Sequence, residues 1–489
     1  MKYTRLIAAA IIFTLILSAL TACTNPITSD LTTDPETPPV IEYEHESKFV
    51  SFTAQTSDAI DSYEINDNYT VAGRFTFRGG YLEQVNAMLQ VMGDVRFALY
   101  RWKTDYETTV SGEPIKEKVY TVEDLALYEE ALLYNMELKF EAEEVGEGNY
   151  LYVISSIDGS KNNPKVYTGR AWTTKTLPEE YEAYKLSTYV NGEFAPNVAV
   201  LSSFVFAEKH EKTTTVELPS PTGKDAEGTA KVILIGGQSN AEGVSLVSAL
   251  PTRFGQEQYE EYLEGYSNVK IMYDNVWGET ASDGFVTAKV GQGTTAEHFG
   301  PELGIAEYLA KNFPNEKFYI IKYSKGGSIM DTEWYNAKNS RPLALLDGFC
   351  AFVDEGLELI KAEGLEPKII GFVWNQGESD ALPHSRASRY YDNTVGLVEY
   401  VREYFKDHAS ARGIAFVDAA ILGSVWSAYR HINIQKEAFS KTSAINLYIE
   451  TYNYDIKPLE DNNDIAHYGA KSMILLGHLY GEQLGKMIS

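Results

Sequence analysis

Four short polar clusters in this chain carry residue types that together perform acyl transfer. Ser239 lies in Lys231-Val-Ile-Leu-Ile-Gly-Gly-Gln-Ser-Asn-Ala-Glu-Gly243, where an apolar run ends in two glycines and then the serine. His467 lies in Asp461-Asn-Asn-Asp-Ile-Ala-His-Tyr468, three residues after Asp464. A serine hydroxyl becomes a nucleophile when a base takes its proton, and imidazole is that base when an acid orients it. At i, i+3 in a turn or first helical turn, Asp464 can accept Nδ1–H of His467 and leave Nε2 to Ser239. Taken alone, Asp-x-x-His also fits a surface ion pair or a helix cap.

The third cluster is Trp374-Asn-Gln-Gly-Glu-Ser-Asp380. Gln376 is an uncharged amide donor, suited to a developing oxyanion. Glu378 and Asp380 are acceptors, suited to positioning substrate hydroxyls or holding the loop. Gln238 and Asn240, flanking the serine, join them as substrate-binding or loop-supporting candidates. A polar turn held by its own side chains accounts for the same residues. The fourth cluster is Lys322-Tyr-Ser-Lys-Gly-Gly-Ser328. Gly326 and Gly327 permit close backbone approach, so an amide there, Gly327 in particular, can face an oxyanion; a plain Gly-Gly turn fits equally.

These clusters need a scaffold, and the apolar pattern supplies one. Val232–Ile235, Val269–Tyr273, Phe318–Tyr323, Ile369–Trp374 and Ile414–Val417 read as strands. Between them lie helix-like stretches at Leu303–Phe313, Leu343–Ala362 and Tyr390–Phe405, with Tyr468–Met487 last. Alternation at this spacing predicts a parallel sheet covered by helices on both faces. Every cluster falls just after a strand or just before a helix, the edge where open α/β sheets carry their sites.

In chain order, Gly-Gln-Ser-Asn at 237–240, Lys-Gly-Gly-Ser at 325–328, Gln-Gly-Glu-Ser-Asp at 376–380 and Asp-x-x-His at 464–467 resemble the sialate O-acetylesterase-type carbohydrate esterases. Phe299-Gly-Pro-Glu-Leu-Gly304 also looks like a stretch common in that group, a branch of the SGNH/GDSL hydrolases. The resemblance covers residues 230–486. It implies a flavodoxin-like three-layer α/β/α domain that removes O-acetyl groups from sugars. Carried over by position, Ser239 is the nucleophile, His467 the base and Asp464 its orienter. The oxyanion hole is then the Ser239 N–H, a glycine amide at Gly326-Gly327 and the Gln376 side chain, glutamine standing where classical SGNH enzymes have asparagine. No GxSxG elbow, HExxH, paired CxxC or EF-hand pattern is present, so neither metal nor cofactor is expected.

Residues 46–211 read as a mainly-β, jelly-roll-like sandwich, with β-branched and aromatic runs such as Tyr69–Phe77, Val95–Trp102 and Asn149–Ile154. Val122–Tyr134 is helix-like by propensity and ambiguous. Tyr100-Arg-Trp-Lys-Thr-Asp-Tyr106 offers aromatic and charged groups that can bind sugar; sandwich core with a solvated edge accounts for them too. Residues 212–228 read as a linker and 229–489 as the catalytic domain.

At the N-terminus, Lys2 and Arg5 precede an apolar run from Leu6 to Leu20 and then Leu20-Thr-Ala-Cys23. The run has signal-peptide flanks and is short for a membrane span. The tetrapeptide resembles a bacterial lipobox, which implies a signal peptide over 1–22, lipid on Cys23 and an exported, lipid-anchored protein at the cell surface or envelope. Residues 23–45, with Asp34-Pro-Glu-Thr-Pro-Pro39, read as a disordered tether. The other cysteine, Cys350, sits in an apolar helix-like stretch and reads as a core residue. The net charge of −27 disfavours nucleic acid as a partner. The expected partners are an acetylated glycan and, through the lipid, a membrane; oligomeric state is open. The rival reading is a glycan-binding surface lipoprotein whose esterase-like domain is catalytically silent. Lipase or thioesterase chemistry is a third use of the same fold.

Overall fold

Val232 and Leu234 enter one hydrophobic core and Ile233 and Ile235 another, so one short apolar run serves both faces of its strand. That is the signature of a parallel sheet buried on two sides. Each such side chain contributes about 1.5–3 kcal/mol of burial. The computed structural model describes residues 43–488, except 54–60, 65–69, 91–92, 122–132, 158–164, 173–176, 212–216, 383, 424–425 and 460–463. The signal peptide, Cys23 and nearly all of the tether lie outside the described residues, as does most of the ambiguous Val122–Tyr134 stretch. Tyr134 itself belongs to the Leu133–Lys139 strand.

The sheet runs Val286–Ala288, Tyr266–Asn275, Phe318–Ser324, Ala230–Gly237, Pro367–Asn375, Ala415–Ala419, Asn446–Ile449. All neighbours are parallel except the Val286–Ala288 edge. Helices Pro301–Asn312 and Ala470–Gly485 contribute to one core. Ala344–Ala362 and Tyr390–Tyr404 contribute to the other. The result is the expected three-layer α/β/α arrangement. The chain leaves Ala230–Gly237 for one side of the sheet and later crosses to Pro367–Asn375 on the other. The carboxyl end of Ala230–Gly237 is therefore a topological switch point, and Ser239 comes directly after it. Two elements differ from the sequence expectation. Asn446–Ile449 adds a strand too short to announce itself, and Asp464–Tyr468 is a strand where a turn or first helical turn was expected.

The preceding region is all antiparallel and built around one 20-residue strand, Val71–Gln90. Its first half pairs with Gly146–Ser156 and Ser187–Val190, its second with Ser202–Glu211 and Leu133–Lys139. Bending one long strand through both sets encloses an aromatic core that includes Phe52, Phe75, Phe77, Tyr152 and Phe204. Tyr100 is buried, and Trp102, Tyr106 and Tyr189 pack on one another, with the Arg74 guanidinium 4.2 Å from the Trp102 ring centroid. Local packing thus accounts for the aromatics of the 100–106 stretch.

Tyr43–Ser489 forms one compact unit. Gln84 Nε2 donates to Tyr429 Oη at 2.8 Å, and Arg430 pairs with Glu83 at 2.9 Å. The β region therefore rests on the Tyr429–Ser440 helix, which also reaches the loop after Pro367–Asn375 through Lys436. Cys350 is a buried thiol whose pKa burial, aided by Asp354 and Asp347, pushes up to about 12, as suits a core residue. Among the described residues no helix is long and apolar enough to cross a membrane.

Candidate active site

Gly237 has φ +141, and a Cβ there would stand 2.1 Å from the Asn375 carbonyl oxygen. Only glycine lets the chain turn so tightly against the neighbouring strand. The turn delivers Ser239 to the first position of a short helical segment, Ser239–Glu242. An N–H at that position has no acceptor within the helix, so it is available to a ligand.

His467 Nε2 lies 2.8 Å from Ser239 Oγ, and His467 Nδ1 lies 2.6 Å from Asp464 Oδ2. With Nδ1–H donated to the carboxylate, Nε2 keeps the lone pair that accepts the serine hydroxyl. Of the turn or first helical turn expected for Asp464 and His467, the structure has a turn, carried on a strand. Asp464 Oδ1 accepts the N–H of Ala466 at 2.9 Å, and this Asx turn curls a strand until Oδ2 meets the imidazole. Burial pushes the Asp464 carboxyl up, but hydrogen bonds from the His467 side chain and from the N–H groups of Ala466 and His467 outweigh it and hold it below the usual range. Folding therefore favours the ionised form. The stabilisation is present above the ordinary aspartate range and is lost as pH falls through the lowered value. Asp464→Asn is expected to cut kcat by about 10³–10⁴-fold, because an amide does not enforce the tautomer. Steady-state kinetics alongside a melting curve measures this; unchanged turnover would remove Asp464 from the site.

Gln238 and Asn240 are buried and bind the neighbouring loops. Gln238 Oε1 accepts the N–H groups of Gly377 and Ser379 at 3.4 and 3.3 Å. Asn240 donates to Glu378 Oε1 at 2.8 Å and accepts the Tyr468 N–H at 3.3 Å. Between them they tie the Ser239 turn to the 376–380 loop and to the His467 strand. Glu378 and Asp380 are each 1% exposed, so of their two expected roles the structure supports loop support and not contact with substrate hydroxyls.

Gln376 departs from expectation. Its Nε2 donates to Ser328 O at 3.1 Å and to Asp380 Oδ2 at 2.6 Å, and the side chain is fully buried. Both amide hydrogens are spent, so in this geometry neither is free for an oxyanion. Gln376 instead fastens the Gly326-Gly327-Ser328 loop to the sheet edge. Burial, only partly offset by the Met330 N–H and the Gln376 amide, raises the Asp380 carboxyl to about 7. Gln376→Ala should consequently lower the melting temperature together with kcat, since it strands a buried carbonyl and a buried carboxyl; each costs about 1–3 kcal/mol. A fall in kcat with no change in melting temperature would restore the oxyanion role.

The glycine loop is placed as expected. Lys325 N–H donates to Gly237 O at 3.1 Å, which seats residues 325–328 against the Ser239 turn. The Gly326 N–H faces the Glu242 carboxylate and opposes the rise that burial imposes on it. Gly327 has φ +63, and among the described backbone–backbone bonds its N–H has no acceptor. Ser239 N–H and Gly327 N–H are thus two donors that this geometry leaves for an oxyanion.

His298 was missed by sequence reasoning. Burial lowers its pKa; Glu297 opposes the shift and the nearby imidazole of His467 adds to it. Its Nδ1 lies 2.6 Å from Thr295 Oγ1. Its position beside Phe299-Gly-Pro-Glu-Leu-Gly304 was the available signal. Among the described residues no group of three His, Cys, Asp or Glu is placed to hold a metal ion. Cavities of 360 and 430 Å³ lie elsewhere, the first beside Trp172 and Tyr181, the second between the β region and the Tyr429–Ser440 helix.

Several solved structures are similar to this chain. An Arabidopsis thaliana protein shares 15% identity over 53% of this chain and 99% of its own, with a TM-score of 0.38. NanS shares 14% over 55% and 98%, with a TM-score of 0.39. A carbohydrate acetylesterase from Xanthomonas citri shares 10% over 82% and 70%, with a TM-score of 0.33. A search of curated protein sequences finds no match. Residues 229–486, more than half of the chain, match the family described as carbohydrate esterase, sialic acid-specific acetylesterase, and the chain belongs to that family.

Proposed function

We propose that this carbohydrate esterase is an exported, lipid-tethered serine hydrolase that removes acetyl groups from sugar hydroxyls of acetylated glycans. The observation that carries the reading is the continuous hydrogen-bonded line Asp464–His467–Ser239. Ser239 Oγ attacks the acetyl carbonyl carbon while His467 Nε2 takes its proton. The C=O electrons move onto oxygen, and the Ser239 and Gly327 N–H groups stabilise that charge. Collapse of the tetrahedral intermediate expels the sugar alkoxide, which receives the proton from His467. Water, deprotonated by the same Nε2, then attacks the acetyl-enzyme; collapse breaks the bond to Ser239 Oγ, which takes the proton back from His467, and acetate is released. Asp464 remains ionised throughout and stabilises the imidazolium.

Acetyl rather than long-chain acyl specificity is supported by the family match over residues 229–486. Export and lipidation at Cys23 rest on the Leu20-Thr-Ala-Cys23 motif. The test is acetate release from 4-nitrophenyl acetate, acetylated xylan and mucin, with a series of longer acyl esters. Release that declines sharply beyond the acetyl ester supports the proposal. No release from any of them, with glycan binding intact, would leave a silent glycan-binding lipoprotein. Detergent-phase partition of the full chain against Cys23→Ser tests the anchor; identical partition would remove it.

A further inference from the structure

Trp277 is 67% exposed, an unusual position for the largest apolar side chain. Its backbone is pinned. Its own N–H donates to Glu242 Oε1 at 3.1 Å, the Val276 N–H donates to Ser324 O at 2.9 Å, and the Gly278 N–H donates to Asn275 O at 2.6 Å. Glu242 is buried and sits three residues after Ser239, so the anchor of the tryptophan belongs to the nucleophile turn. The indole lies over the glycine loop: Cβ atoms built on Gly326 and Gly327 would come within 3.7 and 3.5 Å of its six-membered ring. A solvent-facing aromatic plate thus borders an oxyanion donor.

We infer that Trp277 is the platform on which the sugar ring bearing the acetyl group stacks, and that this sugar is neutral. The inference rests on the esterase reading above. A pyranose presents a face of C–H bonds, weakly positive and apolar, which matches the electron-rich face of indole. Ordering that ring beside the Gly327 N–H brings an ester on one of its hydroxyls to Ser239. Charge selects the neutral sugar. The Lys325 ammonium lies 4.8 Å from the Trp277 ring centroid, and it is already ion-paired with Glu333. Glu242 and Asp274 add negative charge nearby, the latter helping to raise the Glu242 carboxyl, whose main cause is burial. The chain as a whole carries −27. An anionic sugar would meet repulsion, and the Lys325 ammonium beside the ring is already committed to Glu333.

The test uses the full chain and two probes, a neutral acetylated xylo-oligosaccharide and O-acetylated sialic acid. In a Ser239→Ala background, which stops turnover, calorimetry should find that Trp277→Ala raises Kd for the xylo-oligosaccharide about ten-fold, with Trp277→Phe recovering part of it. In the Ser239 enzyme, Trp277→Ala should raise KM on that probe at least about ten-fold more than on 4-nitrophenyl acetate, which has no sugar. An unchanged Kd, no measurable binding, or an equal loss on both esters overturns the platform. A Trp277 effect as large on the sialic acid probe overturns the neutral-sugar assignment. Trp277-dependent binding in a protein that releases no acetate would instead count against the esterase reading and leave the platform standing.

Discussion

Ser239→Ala is expected to lower kcat for acetate release by about 10⁴–10⁶-fold while the fold is kept. The hydroxyl is half-buried and hydrogen-bonded to His467 Nε2. Alanine is a good helix former at the start of Ser239–Glu242, so the stability change should stay within about 0.5 kcal/mol. His467→Ala should fall nearly as far, because the nucleophile and base act as one unit. The double variant should then be scarcely worse than either single one. Additive losses would mean that the two side chains work in separate steps. The residual rate over water would report the Ser239 and Gly327 N–H groups and binding alone.

The second large effect is on stability. Lys322 is fully buried on the Phe318–Ser324 strand. Its ammonium pairs with the equally buried Glu302 at 3.0 Å and donates to Glu242 O and Gln292 O at 2.9 and 2.6 Å. Burial lowers its pKa, and Glu302 opposes that shift. Lys322→Met leaves the Glu302 carboxylate buried without its cation, at a cost of about 3–5 kcal/mol. In a domain of this size the melting temperature should drop by roughly 6–20 °C. Lys322→Met combined with Glu302→Gln should recover much of the loss, since removing both charges is close to neutral. A melting temperature for Lys322→Met within about 2 °C of the parent would show that the pair does not hold this edge of the sheet.

The α/β architecture could be read from apolar runs because both faces of the sheet are buried. Val232–Ile235 and Ile369–Val373 have no solvent face to interrupt them, so continuous hydrophobicity marks them. Ser239 was legible for a related reason: a tight turn at the end of such a strand leaves the next residues little freedom, whereas Asp464 and His467 stood out by their Asp-x-x-His spacing. Orientation was not legible. Gln376 lies at the right strand end, but Asp380, four residues later, and the Ser328 carbonyl turn its amide inward. Asp464 and His467 were given a turn or a first helical turn because their spacing allows either; the Asx bond to Ala466 realises the turn on a strand. His298 had only its place beside Phe299-Gly-Pro-Glu-Leu-Gly304 as a signal, and its loop is closed locally by Thr295; Trp277 had none and is anchored by the distant Glu242.

The central claim is that an acetyl group passes through Ser239. Rapid quenching during turnover of 4-nitrophenyl acetate, coupled to peptide mass spectrometry, measures it directly. Acetyl should appear on the peptide containing Ser239, rise with the product burst, and be absent from Ser239→Ala. Acetate release at the parental rate by Ser239→Ala, or an acetyl group trapped on another residue at the burst amplitude, would contradict the account.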